Sequence, residues 1–363
     1  MAELLQTTTE TPPLVLGELE QTHPMRRLVR MLLPFLGLLL VIGPFSFLDA
    51  FTQSKAQNFL SQRNFEFVIL QTVVVAVAAM GMTFVIISGG IDLSVGSVVA
   101  LSTVATALTL LHGIGPWQPA ADAASIMEMT GLIITAAFVG IGVAMLAGLL
   151  NGLMITGLRI VPFIATLGMW SVARGVAKLL AEEQAVYPPE NWLPGLMAFW
   201  YEPPGWPRAI PLPLLIMLAV ALTMGLILNY TTFGRYTIAI GSNEATARLC
   251  GVRVRRIKIG IYTLAGVMTG IAGVLQFSRL TVGDPTVSVG LELDVIAAVV
   301  IGGGSLSGGE GSIVGTLIGA LAMSFLRSGC TLMNWPNFIQ EIFIGIFIVI
   351  FVAIDQLRRA RTA

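Results

Sequence analysis

Ten stretches of this 363-residue chain are long, apolar and nearly free of charge: 31–50, 66–87, 96–113, 129–157, 161–182, 209–230, 259–280, 292–303, 311–328 and 337–356. A helix rises about 1.5 Å per residue, so about 20 apolar residues cross a hydrocarbon core of roughly 30 Å. Most of the ten reach that length; 292–303 is short and is expected to begin earlier or to break at Gly302. Only 11% of the residues are charged, against 55% hydrophobic, where a soluble domain carries roughly a quarter charged. Such a chain cannot cover itself with a water-facing surface. It is expected to be an all-α integral membrane protein of about ten transmembrane helices.

The positions of the charges orient these spans. Arg26, Arg27 and Arg30 precede the first, Arg358, Arg359 and Arg361 follow the last, and Arg235, Arg248, Arg253, Arg255, Arg256 and Lys258 crowd the segment between the sixth and seventh. With ten spans all three clusters share one side, and the excess of positive charge makes that side cytoplasmic, with both termini on it. Trp117, Trp192, Trp200, Tyr201 and Trp206 fall on the opposite side, where an interfacial aromatic belt belongs. Arg174 and Lys178 lie inside the fifth span and must face other helices or snorkel outward. Residues 1–25, polar and without a cleavable signal, are expected to form a disordered cytoplasmic tail ahead of one membrane domain, 26–363. Cys250 and Cys330 fall on opposite sides, which argues against a disulfide, and with His23 and His112 as the sole histidines no metal site is expected.

Two glycine-rich segments echo each other. Residues 87–99 read ISGGIDLSVGSVV and residues 301–314 read IGGGSLSGGEGSIV, each between two apolar spans. They suggest two parallel internal repeats, about 66–182 and 259–356, each with a Gly-rich helix break. The second contains Leu306-Ser307-Gly308-Gly309-Glu310, close to the motif by which ABC-transporter ATPases grip ATP. An ATPase also needs a GxxxxGK[ST] loop to cradle the phosphates. The chain has three lysines, Lys55, Lys178 and Lys258, and none stands in that pattern. The run is therefore not a nucleotide motif, and the chain is not expected to be an enzyme. Asp92 and Ser94 are suited to cap the helix that follows them, or else to line a translocation path with the glycines beside them. Gly89, Gly90, Gly303 and Gly304 either form tight turns or line a translocation path.

Between the sixth and seventh spans, 231–258, Ser242 or Asn243 can cap a short helix holding Glu244, Ala245, Ala247, Arg248 and Leu249, with Gly251 ending it. Glu244 and Arg248 make an i,i+4 pair, and Ala245, Leu249 and Ala247 are expected to share a small apolar face. This is either a solvated loop or a docking helix for a soluble partner.

Four motifs in order carry a resemblance: GGIDLSVGS (89–97), NGLMITGLRIVPFIATLGM (151–169), GSNEATARLCGV (241–252) and LELDVIAAVVIGGGSLSGGEGSIVGTLIGA (291–320). From about residue 66 onward the chain resembles permease subunits of bacterial ABC importers of the ribose, xylose, arabinose and galactofuranose type. The resemblance implies a multi-pass inner-membrane permease paired with a second permease subunit, as homo- or heterodimer. It implies a cytoplasmic ABC ATPase docked on Ser242–Gly251, which binds the ATP and Mg, so that no cofactor sits in this chain. It also implies a periplasmic sugar-binding protein, and no nucleic acid. Cys250 stands where the pattern has serine, and Gly304 where threonine is frequent.

Glu292 and Asp294 open the eighth span near the outer face, where they either contact sugar hydroxyls, hold a gate or are merely solvated. Asn151, Thr166 and Ser171 are uncharged groups able to line a path or to bond between helices. The rival reading is a stand-alone secondary transporter or channel. No span carries the chain of ionisable groups that a proton relay would need.

Overall fold

The computed structural model describes residues 24–52, 59–113, 126–199 and 211–360. Among them the chain is helical, save an isolated antiparallel bridge between Val186 and Gly283. The order is α1 (Pro24–Thr52), α2 (Gln62–Ile87), α3 (Val95–His112), α4 (Ile126–Gly157), α5 (Pro162–Leu180), a 3-10 turn (Leu193–Met197), α6 (Leu212–Tyr230), α7 (Thr232–Ser242), α8 (Glu244–Leu249), α9 (Val254–Leu280), α10 (Leu291–Ile301), α11 (Ile313–Leu332) and α12 (Asn337–Ala360). The first 23 residues and Trp117, Trp200, Tyr201, Trp206 and Arg361 lie outside the described residues.

Within the described residues each of the ten apolar stretches overlaps a helix. Among the described residues seven helices, α2 to α6 with α9 and α11, are long and apolar enough to cross a membrane. α1 and α12 hold shorter apolar runs, Pro34–Asp49 and Phe338–Ile350. α10 has 11 residues, so at about 1.5 Å each it reaches roughly halfway through the hydrocarbon. The segment expected to be a loop, 231–258, is mostly helical, with α7 and α8 leading into α9.

Local chemistry sets several of these ends. The Ser61 hydroxyl accepts the Asn64 amide at 3.3 Å and starts α2; Ser312 does the same for Gly315 at 3.3 Å and starts α11. Pro162 opens α5, where a missing N–H leaves nothing unsatisfied.

α2 and α9 form the centre. The apolar window of α2 is 89% buried against 28% for α6, so α2 meets protein on nearly all sides while most of α6 is left uncovered by this chain. α4 lies along α9, and glycine permits this: a Cβ on Gly148 would stand 2.9 Å from the Gly266 Cα, and one on Gly266 3.0 Å from the Gly148 Cα. On the periphery Phe138, Leu179 and Leu222 are exposed. In water such side chains would drive aggregation, whereas in a bilayer they face acyl chains.

Candidate functional site

The two glycine-rich segments meet. α2 and α10 end with the same backbone closure: Gly89 N–H donates to Ile86 O and Gly90 N–H to Val85 O, while Gly303 N–H donates to Val300 O and Gly304 N–H to Val299 O. Gly89 (φ +77°) and Gly303 (φ +87°) take the left-handed conformation this closure requires. The turns then touch directly, with Gly309 N–H donating to the Ile87 carbonyl at 2.8 Å. Gly241, at the end of α7, packs on both: a Cβ there would collide with the Ile87 carbonyl oxygen and lie 2.6 Å from the Gly309 nitrogen. Ser242 lies against Gly309 in turn.

One residue further, Asn243 rather than Ser242 caps α8, its Oδ1 accepting the Thr246 amide at 2.9 Å. Ser242 instead donates its hydroxyl to Ile238 O at 3.0 Å. Gly251 (φ +84°) ends the helix as expected. Glu244 accepts from Arg248 at 3.0 Å, and also from Lys258 of α9 at 2.6 Å. The Lys258 hydrogen bond, outweighing partial burial and joined by the charges of Lys258 and Arg248, holds the Glu244 carboxyl below its ordinary range. The expected apolar face divides. Ala247 is buried against Ile240 and Val254, because this short helix rests on its α7 and α9 neighbours. Ala245 is exposed and Leu249 is 88% exposed. Beside α8 opens a cavity of about 890 Å³ lined by Arg159, Glu244, Arg248, Arg253, Arg255 and Lys258 among others. It is strongly cationic. Lys258 and Arg159 were not singled out as partners of this helix from sequence, although their charge in an apolar chain was a usable signal.

Behind the first turn lies a buried polar chain. Ser94 does not cap α3; its amide and hydroxyl donate to Asp92 Oδ1 at 2.8 and 2.6 Å. The Ser94 oxygen accepts from Asn151 Nδ2 at 3.0 Å, and Thr166 Oγ1 donates to Ile91 O at 3.2 Å. Asn151 and Thr166 thus bind α4 and α5 to the turn, while Ser171 is exposed on α5.

The remaining predicted residues sit at the opposite end. Asp294 is not solvated: its side chain is 3% exposed and Oδ2 accepts from Arg327 Nε of α11 at 2.5 Å. Glu292, partly buried, lies against Gly96 of α3. Arg174 reaches from α5 to the segment before α10, donating from Nη1 to Pro285 O and Val287 O at 2.8 Å each. Its Nε and Nη2, like Glu292 Oε2, are buried without a partner. Lys178 is exposed. Sequence reasoning missed Arg327, and a lone arginine in an apolar span was the available signal. Among the described residues no group of three or more His, Cys, Asp or Glu converges as a metal site.

Known proteins are similar to this chain in sequence. A family model described as the permease component of a branched-chain amino acid transport system matches residues 64–352. The ribose import permease protein of Escherichia coli (strain K12) is 38% identical over 314 residues, 86% of this chain and 91% of its own length. The corresponding ribose protein of Bacillus subtilis (strain 168) is 37% identical over 330 residues, 90% and 93% of the two chains. The L-arabinose ABC transporter permease protein of Azospirillum brasilense is 34% identical over 321 residues, 88% and 87%. No solved structure matches the chain.

Proposed function

The chain belongs to this permease-component family, in its sugar-importing branch, and on that premise we propose that it is the membrane subunit through which an ATP-driven importer moves a neutral sugar or polyol inward. A second permease subunit completes the path. A separate cytoplasmic ATPase binds ATP and Mg and docks on α8, and a periplasmic binding protein delivers the solute. Counted beside the seven long helices, α1, α12 and the half-length α10 together with the chain that flanks it give ten crossings, with both termini and α8 in the cytoplasm of a bacterial inner membrane. α2–α5 and α9–α12 then form the two repeats.

The observation that carries the reading is how α8 is mounted. Its outer face presents Leu249 and Arg248, the latter 70% exposed. Its base is fixed by Lys258, and the preceding Gly241 and Ser242 rest on both glycine turns. A push on α8 therefore reaches α2, α3, α10 and α11 together. The cationic cavity alongside suits an acidic rim on a docking protein.

The test is substrate-driven uptake of D-ribose and L-arabinose by the complete transporter, with Leu249→Asp and Arg248→Glu in this subunit. Both variants are expected to insert normally, to lose copurification with the ATPase and to abolish uptake. Normal uptake in both would remove α8 as the docking element. Flux of sugar through the purified chain without ATP or partners would instead favour a stand-alone transporter.

A further inference from the structure

At the end remote from α8, where α2, α9, α10 and α11 meet, lies a cavity of about 210 Å³. Its polar lining comes from Gln71 of α2, Gln276 and Arg279 of α9, Ser288, Asp294 of α10 and Arg327 of α11. Buried polar groups in folded proteins are nearly always partnered, and this lining departs from that rule. Asp294 Oδ2 is held by Arg327, but Oδ1 is buried with no partner. Among the described residues the side chains of Gln71 and Gln276 make no hydrogen bond, although Gln276 is 8% exposed. Among the described residues the Arg279 guanidinium has no carboxylate partner; its Cζ lies 5.8 Å from the centre of the Phe67 ring.

The chemistry of these groups selects a ligand class. An ionised carboxylate only accepts, a guanidinium only donates, and an amide does both. A cation would meet two guanidinium groups against one carboxylate, and an anion, which only accepts, would engage Arg279 but leave the amide oxygens of Gln71 and Gln276 unanswered. A hydroxyl can donate to Asp294 and accept from Arg279 or an amide at once, so several hydroxyls on one neutral molecule satisfy the set. The volume equals about seven waters at roughly 30 Å³ each, which fits one small ring and no disaccharide.

We propose that this cavity is a solute site of the permease, in which a neutral, monosaccharide-sized polyol bridges Arg279, Gln71, Gln276 and the Asp294–Arg327 pair. The assignment rests on the transport reading above and gives it a location. Contacts to amides and to an acid–base pair that already satisfies itself hold the solute weakly, as passage onward requires. Apolar walls from Val74, Val75 and Leu291 exclude other polar partners.

The experiment is thiol protection on the full chain in lipid nanodiscs. Val74 lines the cavity and is 3% exposed, so Val74→Cys in a Cys250→Ser, Cys330→Ala background reports entry of a small methanethiosulfonate reagent. D-ribose and ribitol in the millimolar range are expected to slow labelling, while D-ribonate and glycine betaine at equal concentration leave it unchanged. Adding Gln276→Leu or Arg279→Met, neither of which breaks the Asp294–Arg327 pair, is expected to weaken protection about tenfold. The site is overturned if ribose and ribitol give no protection, if ribonate or betaine protects equally well, or if both added variants leave protection intact. This assay needs no ATPase. Lost protection with uptake preserved removes the site alone, whereas ATP-independent flux with protection preserved removes the coupling reading alone.

Discussion

Replacing Gly241 by alanine probes the junction between α8 and the two glycine turns. The added Cβ would collide with the Ile87 carbonyl oxygen and lie 2.6 Å from the Gly309 nitrogen, the two atoms joined by the hydrogen bond between the turns. Forcing backbone apart in a packed site costs about 1–3 kcal/mol, and the lost hydrogen bond about 1 kcal/mol more. Against this, alanine in place of glycine inside a helix gains about 0.5–1 kcal/mol. The net is a destabilisation of about 1–3 kcal/mol. Gly225 in α6 supplies the control, since a Cβ there meets nothing within 4 Å. Gly225→Ala should therefore stabilise by about 0.5–1 kcal/mol, with opposite sign for the same chemical change. Reversible unfolding of the purified chain in mixed detergent, followed by far-UV circular dichroism, measures both. Hydrogen exchange at the Gly309 amide should accelerate in Gly241→Ala only. The reasoning fails if Gly241→Ala is as stable as Gly225→Ala with that amide equally protected.

Two further outcomes follow from the charged pairs. Removing one member of the buried Asp294–Arg327 pair strands the other, so Arg327→Met alone should lose about 3–5 kcal/mol, and Asp294→Leu with Arg327→Met should lose less than Arg327→Met. The same unfolding titration decides it, and a neutral Arg327→Met would show the pair carries no weight. The Glu244 carboxyl is held below its ordinary range in the folded chain, chiefly by Lys258. Its contribution is therefore complete above the unfolded carboxylate pKa and vanishes as pH falls through the folded value. Because Glu244 is 41% exposed, that contribution is about 1 kcal/mol or less. Exchange of the α8 amides, corrected for intrinsic rate, should speed up on acidification in the wild type and not in Glu244→Gln; parallel profiles would refute the link.

The positions of the helices were legible because lipid imposes length and excludes charge, and both are visible residue by residue. α8 was legible for a different reason: Asn243, Glu244, Arg248 and Gly251 act within one or two turns, so their spacing carries their roles. The failures come from competition and distance. Ser94 has the right position for a cap, but Asp92, two residues earlier, takes both its amide and its hydroxyl in a local turn. Ala247 turned inward because α7 and α9 close beneath a six-residue helix, which no helical period could foresee. Asp294 was visible as an acid near a membrane face. Its partner lies 33 residues away on another helix, and no local pattern links the two.

The stub of α10 also has an electrical effect. Its 11 residues leave about half a positive charge at the amino end and half a negative charge at the carboxyl end. Glu292 and Asp294 stand in its first turn, where that dipole favours acids. The carboxyl end stops at Gly302, buried against the backbone of Gly315 in α11, where a low-dielectric surrounding screens little. Moving along it from start to finish, a negatively charged molecule climbs in energy and a positively charged one descends. For an uncharged passenger the field is almost level.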